Sequence, residues 1–282
     1  MTDRGSAGVA DPIWLTACPS PPWDDRPVAY FDVSADAYVR FMGRFSTHLS
    51  EPFAELGLAG VAEGARVLDV GCGPGMLTAE LVRRQGEALT AAVDPVESFV
   101  SATASSYPSA DVRRATAEDL PFADGEFAAV LAQLVVHFLS DPVAGLREMA
   151  RVTVPGGRVS ACVWDHAGGA GPLSTFWDVA RRVDPATRGE GHLPGTRQGE
   201  LVDLFGRAGL RDVRGARLEA PVRFATFDEW WEPFTYGVGP AGQHVADLDA
   251  SGRDRLVSAL REELGDGPFQ VGAAAWAASG VT

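Results

Sequence analysis

The sequence predicts an α/β fold, a doubly wound sheet with helices packed on its faces, and three observations predict it. Short apolar runs of strand length (67–70, 89–93, 111–115, 126–131 and 158–164) alternate with stretches of helical character (76–82, 95–106 and 142–152). The first of these runs breaks into Gly71-Cys72-Gly73-Pro74-Gly75 and then into a helix. Such a turn lets the backbone approach a ligand and aims the unpaired N–H groups of a helix N-terminus at it. Asp94 closes the next run, one strand–helix–strand unit later, where a carboxylate accepts hydrogen bonds from ribose hydroxyls. It is equally placed to cap the helix that follows.

Composition narrows the function. A chain of 282 residues fits one large domain, or a core with a sizeable insertion. Residues 1–28 are rich in Gly, Ala, Asp and Pro and read as a disordered leader, not a signal peptide, ahead of a body at 29–282. Trp14 and Trp23 are unusual there and suggest that parts of the leader fold back. No stretch approaches the ~18 consecutive apolar residues of a membrane span. Cys18, Cys72 and Cys162 are scattered without metal-ligand spacing, which argues against a metal site or disulfides and for a reducing cytoplasm. The net charge of −14 disfavours nucleic acid as a partner. All 24 basic residues are arginines, which excludes a Schiff-base lysine and a P-loop lysine.

In chain order, residues 33–45 predict a first helix capped by Ser34, with Ala37, Phe41 and Arg44 along one side. After the glycine turn come the strand ending at Asp94, the helix opened by Pro95, and a third strand leading into Thr116-Ala117-Glu118-Asp119-Leu120-Pro121-Phe122. The fourth strand ends near Gln133 and is followed by Leu134-Val135-Val136-His137-Phe138-Leu139-Ser140-Asp141-Pro142. A Pro155-Gly156-Gly157 turn precedes the fifth strand. Helices at 173–183 and 200–208, a strand at 210–218 and a last strand at 269–278 complete the chain.

Asp69, the Gly-x-Gly-x-Gly turn and Asp94 together resemble motif I of the class I S-adenosylmethionine-dependent methyltransferases. The likeness runs from Arg66 to Trp164. Within that family it resembles the branch of the ubiquinone and menaquinone C-methyltransferases. It implies a seven-stranded Rossmann-like sheet whose last strand is antiparallel, with S-adenosylmethionine as cofactor. The implied contacts are Asp69, Gly71, Cys72, Gly73 and Pro74 at the methionine end, Asp94 and Pro95 at the ribose, and Thr116, Ala117 and Glu118 at the adenine. Thr116 departs from the acidic or amide residue usual at its position, which leaves Glu118 to take the exocyclic amine. Gln133 falls beneath the reacting methyl group. Tyr38 and Arg44, on the helix before the motif, are implied cofactor contacts, Tyr38 being equally readable as a core aromatic. His137 matches the family's histidine and is the candidate general base; His166, beyond the fifth strand, is a second candidate acceptor contact. Each is otherwise a packing histidine.

The family's two last strands form a hairpin, yet here residues 219–268 lie between them, far beyond the ~2–5 residues of a hairpin loop. This segment carries Phe224, Phe227, Trp230, Trp231, Phe234 and Tyr236 and a helix at 252–264. It reads as a helical cap over an acceptor site or as an aromatic packing patch. Adjacent residues of a helix diverge by about 100°. One of Trp230 and Trp231 is therefore expected on the body and the other in a mostly apolar acceptor pocket, joined by Phe234. The function that follows is methyl transfer to a small-molecule acceptor, apolar or aromatic. A non-catalytic S-adenosylmethionine-binding protein shares the same motifs. A dinucleotide oxidoreductase fits less well, because its third fingerprint glycine falls on Met76.

Overall fold

The computed structural model describes Phe31 and residues 33–282. The leader, with Trp14, Cys18 and Trp23, lies outside the described residues. Helix α1 (Ala35–Tyr38) begins where Ser34 Oγ accepts the Ala37 N–H at 3.2 Å. It continues through a π turn, Val39–Gly43, into α2 (Arg44–Gly57), well past the expected end at residue 45. Phe45, Leu49 and Phe53, four residues apart, give α2 a continuous buried face, and Pro52 is accommodated inside it. Gly57 lets α2 lie on the sheet: a Cβ there would stand 2.3 Å from Leu131 Cδ2.

The strand–helix alternation follows: β1 (Val67–Val70), α3 (Met76–Gln85), β2 (Thr90–Asp94), α4 (Glu97–Ser106), β3 (Asp111–Arg114), β4 (Phe127–Gln133), α5 (Pro142–Val152) and β5 (Thr153–Trp164). Then come α6 (Ser174–Val183), α7 (Glu200–Ala208), β6 (Arg211–Glu219), β7 (Val222–Phe224), α8 (Phe227–Trp231), α9 (Gly239–Asp247), α10 (Ala250–Leu264), β8 (Phe269–Val271) and β9 (Ala274–Val281). The main sheet has seven strands in the order β3-β2-β1-β4-β5-β9-β6. β1 to β5 pair in parallel, and β9 runs antiparallel to both β5 and β6. Strand order reverses between β1 and β4, and the crevice beyond the carboxyl ends there is where open α/β sheets bind ligands.

Alternation along β4 divides the core. Ala129 and Leu131 face the layer of α2, α3 and the segment after β6, whereas Val130 and Ala132 face the layer of α5 and α7.

The single last strand expected at 269–278 is two strands. β8 pairs with β7 in a separate two-stranded ribbon, with Phe224 opposite Phe269, and β9 alone enters the main sheet. The apolar run is continuous in sequence, so periodicity cannot mark the break at Gly272. The ribbon closes the base of the segment between β6 and β9, which holds α8, a 3-10 turn (Glu232–Tyr236), α9 and α10. Among the described residues no helix is long and apolar enough to cross a membrane.

Candidate active site

The glycine turn is held against β2: the Gly71 and Cys72 N–H groups both donate to the Val93 carbonyl, at 2.8 and 2.9 Å. Gly71 has φ 71°, and a Cβ there would stand 2.3 Å from Val135 Cγ2. Asp94, at the carboxyl end of β2, clamps the turn. Its Oδ2 accepts the Gly73 N–H and its Oδ1 the Val96 N–H, each at 2.9 Å. Burial pushes the Asp94 carboxyl up to about 6.

These groups border a cavity of about 210 Å³ at the switch point. Of the residues expected at the cofactor, Tyr38, Gly71, Gly73, Asp94, Pro95, Thr116, Ala117, Glu118 and Gln133 line it. Tyr38 packs edge-to-face on Phe99, ring centroids 5.3 Å apart. The Gln133 amide is fixed by donating from Nε2 to the Ser46 carbonyl and to Ser50 Oγ, both at 3.1 Å. Its Oε1 has no hydrogen-bond partner among the described residues. Glu118 Oε1 accepts from Ser140 N–H and Oγ at 3.1 and 2.9 Å, so that oxygen ties the loop after β3 to the segment after β4.

Four expected contacts lie elsewhere. Arg44 is off this wall: its guanidinium is 2.6 Å from Glu229 Oε1 and 4.7 Å over the Phe224 ring, so it fastens α2 to the β7 ribbon and α8. Six residues separate it from Tyr38, which is not a helical repeat, and the intervening π turn shifts the phase further. Asp69 is fully buried behind the turn, where Oδ2 accepts from Thr78 Oγ1 at 2.6 Å and burial pushes the carboxyl up to about 7. Its Oδ1 has no partner among the described residues. The Cys72 thiol is turned 4.0 Å from Thr103 Oγ1, and Pro74 is likewise absent from the wall, so of this turn Gly71 and Gly73 border the cavity.

A second cavity, about 740 Å³, adjoins the first and shares Phe138, Leu139 and Ser140 with it. Its wall includes His137 from the turn after β4, Trp177 from α6, Thr187 and Glu190 from the following loop, and His244 from α9. His137 is buried, its ring 4.0 Å from that of Phe138 and 6.1 Å from that of His166. Burial, and secondarily His166, hold its pKa well below the usual histidine range. His166 lies behind this wall, beside a smaller cavity of about 240 Å³. Burial drives its pKa down to about 3, and its Nε2 is 4.0 Å from Glu190 Oε1.

The expected acceptor contacts Trp230, Trp231 and Phe234 line neither cavity. Trp230 packs on Phe227 and Phe234 (5.7 and 4.9 Å), and Trp231 stacks on Phe234 at 5.7 Å. Phe234 in turn meets Phe41 of the π turn at 5.1 Å and stacks on Phe176 of α6 at 4.7 Å. These rings form a core joining the segment to α6 and the π turn. It is α9, through Pro240, Gln243, His244 and Asp247, that faces the second cavity.

Residues 68–161 match the methyltransferase domain family. An uncharacterized methyltransferase of Mycobacterium sp. (strain KMS) is 33% identical over 206 residues, covering 68% of this chain and 79% of the relative. The chain belongs to the S-adenosylmethionine-dependent methyltransferases. The fold agrees with solved structures of low sequence identity. A methyltransferase from Thermotoga maritima superposes with a TM-score of 0.53 at 15% identity, covering 90% of this chain and 99% of that one. Haemonchus contortus phosphoethanolamine N-methyltransferase 2, solved with S-adenosylhomocysteine, gives 0.55 at 15% identity, covering 91% and 58%. The cofactor of this methyltransferase is S-adenosylmethionine.

Sequence reasoning missed several wall residues of the methyltransferase. Phe31 and Phe138 meet edge-to-face at 4.9 Å on the wall of the first cavity, and Phe99, Leu139 and Ser140 complete that side. Phe138 and Leu139 follow the matched histidine directly, so the motif held that signal. Glu190 lies in a Gly- and Pro-rich loop with no periodicity to single it out.

Proposed function

We propose that the methyltransferase transfers the cofactor's methyl group to a small molecule held in the second cavity. The shared wall Phe138–Leu139–Ser140 carries this reading, because two cavities that share a wall supply adjacent seats for donor and acceptor. The first cavity suits S-adenosylmethionine. Each Asp94 oxygen spends one lone pair on a backbone N–H, which leaves carboxylate capacity for ribose hydroxyls. Phe99, Val96 and Leu139 offer apolar surface for the adenine beside Thr116, Ala117 and Glu118. The orphaned Oε1 of Gln133, a residue of the wall, supplies an acceptor at the methionine end.

Bound there, the cofactor supplies an electrophilic methyl group on a sulfonium. The protein's own residues bind, orient and exclude water. Glu118 and Ser140 hold the two loops together over the first cavity, and Phe31 and Phe138 cover its wall. His137, neutral because of burial, is the group placed to take a proton from an acceptor that arrives protonated. Phe138 and Trp177 bring aromatic side chains to the wall of the second cavity, which suits a flat or aromatic acceptor. That acceptor class accords with the likeness to quinone C-methyltransferases. The acidic net charge of −14 speaks against nucleic acid, and the free, buried Cys72 and Cys162 accord with a cytoplasmic location.

Incubation with methyl-labelled S-adenosylmethionine and fractionated host extract tests the reading. Label is expected in a small-molecule fraction. S-adenosylhomocysteine binding with no label transferred to any fraction would favour a non-catalytic binding protein instead.

A further inference from the structure

The second cavity has a polar wall that methyl transfer to an apolar acceptor does not require. Glu190 is 4% exposed. Its Oε2 accepts from Trp177 Nε1 at 2.8 Å, whereas Oε1 faces His166 Nε2 at 4.0 Å, beyond hydrogen-bond reach. Since burial keeps His166 neutral, it brings no compensating charge. A carboxylate withdrawn from water with so little support is costly unless a partner arrives.

Two further side chains on the same wall are nine-tenths buried or more, Thr187 at 9% and His137 at 3% exposure. Thr187 Oγ1 and His137 Nδ1 have no hydrogen-bond partner among the described residues. Such atoms ordinarily find one, and both residues border this cavity beside Glu190.

The charge of the described wall sets the sign. Asp184, Glu190 and Asp247 oppose Arg188, while His192 and His244 add imidazoles. A carboxylate- or phosphate-bearing ligand would meet three acidic groups, whereas a cation would be attracted by them. Trp177 and Phe138 contribute aromatic side chains to the same wall, chemistry that accepts a cation and hydrocarbon alike.

We propose that the second cavity binds an amine, whose ammonium group docks on the Glu190 carboxylate while its hydrocarbon part lies against Trp177 and Phe138. The inference rests on the reading of this cavity as the acceptor site and narrows the acceptor to an arylalkyl amine anchored by its ammonium group. Burial holds the Glu190 carboxyl up near 7, and a docked cation would draw it back to the ionised form.

Three probes of one size test this by calorimetry on the protein saturated with S-adenosylhomocysteine: phenethylamine, 2-phenylethanol and phenylacetate. The amine is expected to bind at least tenfold more tightly than the alcohol, and phenylacetate more weakly than either. In Glu190→Gln, which keeps an acceptor oxygen for Trp177, phenethylamine affinity should fall by roughly 10- to 100-fold, the range of a charged hydrogen bond. Affinity for S-adenosylhomocysteine should not change. Equal or tighter binding of the alcohol or the acid to the wild type would overturn the amine assignment, as would no binding of any probe at millimolar concentration. These wild-type results hold whether or not the variant folds. Amine binding without any transferred label in the methyl-transfer assay would instead overturn the acceptor reading and leave the amine site standing.

Discussion

Trp230→Ala is expected to lower the stability of the methyltransferase by about 3–5 kcal/mol while leaving its affinity for S-adenosylhomocysteine unchanged. The Trp230 side chain is 3% exposed and touches Phe227, Phe234 and Phe269, which belong to three elements of the segment between β6 and β9. Phe234 extends the cluster onto Phe41 and Phe176. Truncation would leave a cavity that rings locked on both sides cannot collapse to fill. The first cavity has no wall residue from this cluster, so cofactor binding has no direct reason to change. Denaturant unfolding and calorimetry read the two quantities separately. A stability loss under about 1 kcal/mol, small against the loss expected for a buried Trp, would contradict the core role. A matching loss of cofactor affinity would contradict the separation of cluster and site.

His137→Ala is expected to cut turnover by ~10²–10⁴-fold, the range for loss of a general base, with S-adenosylhomocysteine affinity intact. His137 is on the second cavity and not on the first, so donor binding should be indifferent to it. The contrasting variant is Asp94→Ala, which removes both the clamp on the glycine turn and the ribose acceptor. It should weaken S-adenosylhomocysteine by roughly 1.5–3 kcal/mol, the value of a hydrogen bond to a charged group. The pH profile carries the sign. A base works when neutral, and a depressed pKa keeps His137 neutral down to below the ordinary histidine range. Activity limited by this group should therefore hold through pH 6.5 and fall only as pH drops through the lowered value. Wild-type turnover in His137→Ala would return this histidine to packing.

The parts legible in the sequence were those whose chemistry is local. Gly71 announces a turn only glycine can make, Asp94 follows one strand–helix–strand unit later, Ala117 lies in the loop just past β3, and Gln133 ends β4. Arg44 was misplaced because its face depends on helix phase, which the π turn alters. Trp230, Trp231 and Phe234 were misplaced because a ring-rich segment looks alike whether it fills a core or lines a pocket. Glu190 was invisible for the opposite reason. It acts from a loop, and its importance comes from residues distant in sequence, Trp177 on α6 and His166 after β5. The break between β8 and β9 was hidden within one apolar run, where pairing partners and not composition decide the boundary.

The seating of donor and acceptor in adjoining cavities is tested most directly by the structure of the S-adenosylhomocysteine complex. The ligand is expected in the first cavity, ribose hydroxyls on Asp94, with its sulfur facing the wall of Phe138, Leu139 and Ser140 that opens toward His137 and the second cavity. A sulfur turned away from that wall, or a ligand seated outside the first cavity, would contradict it.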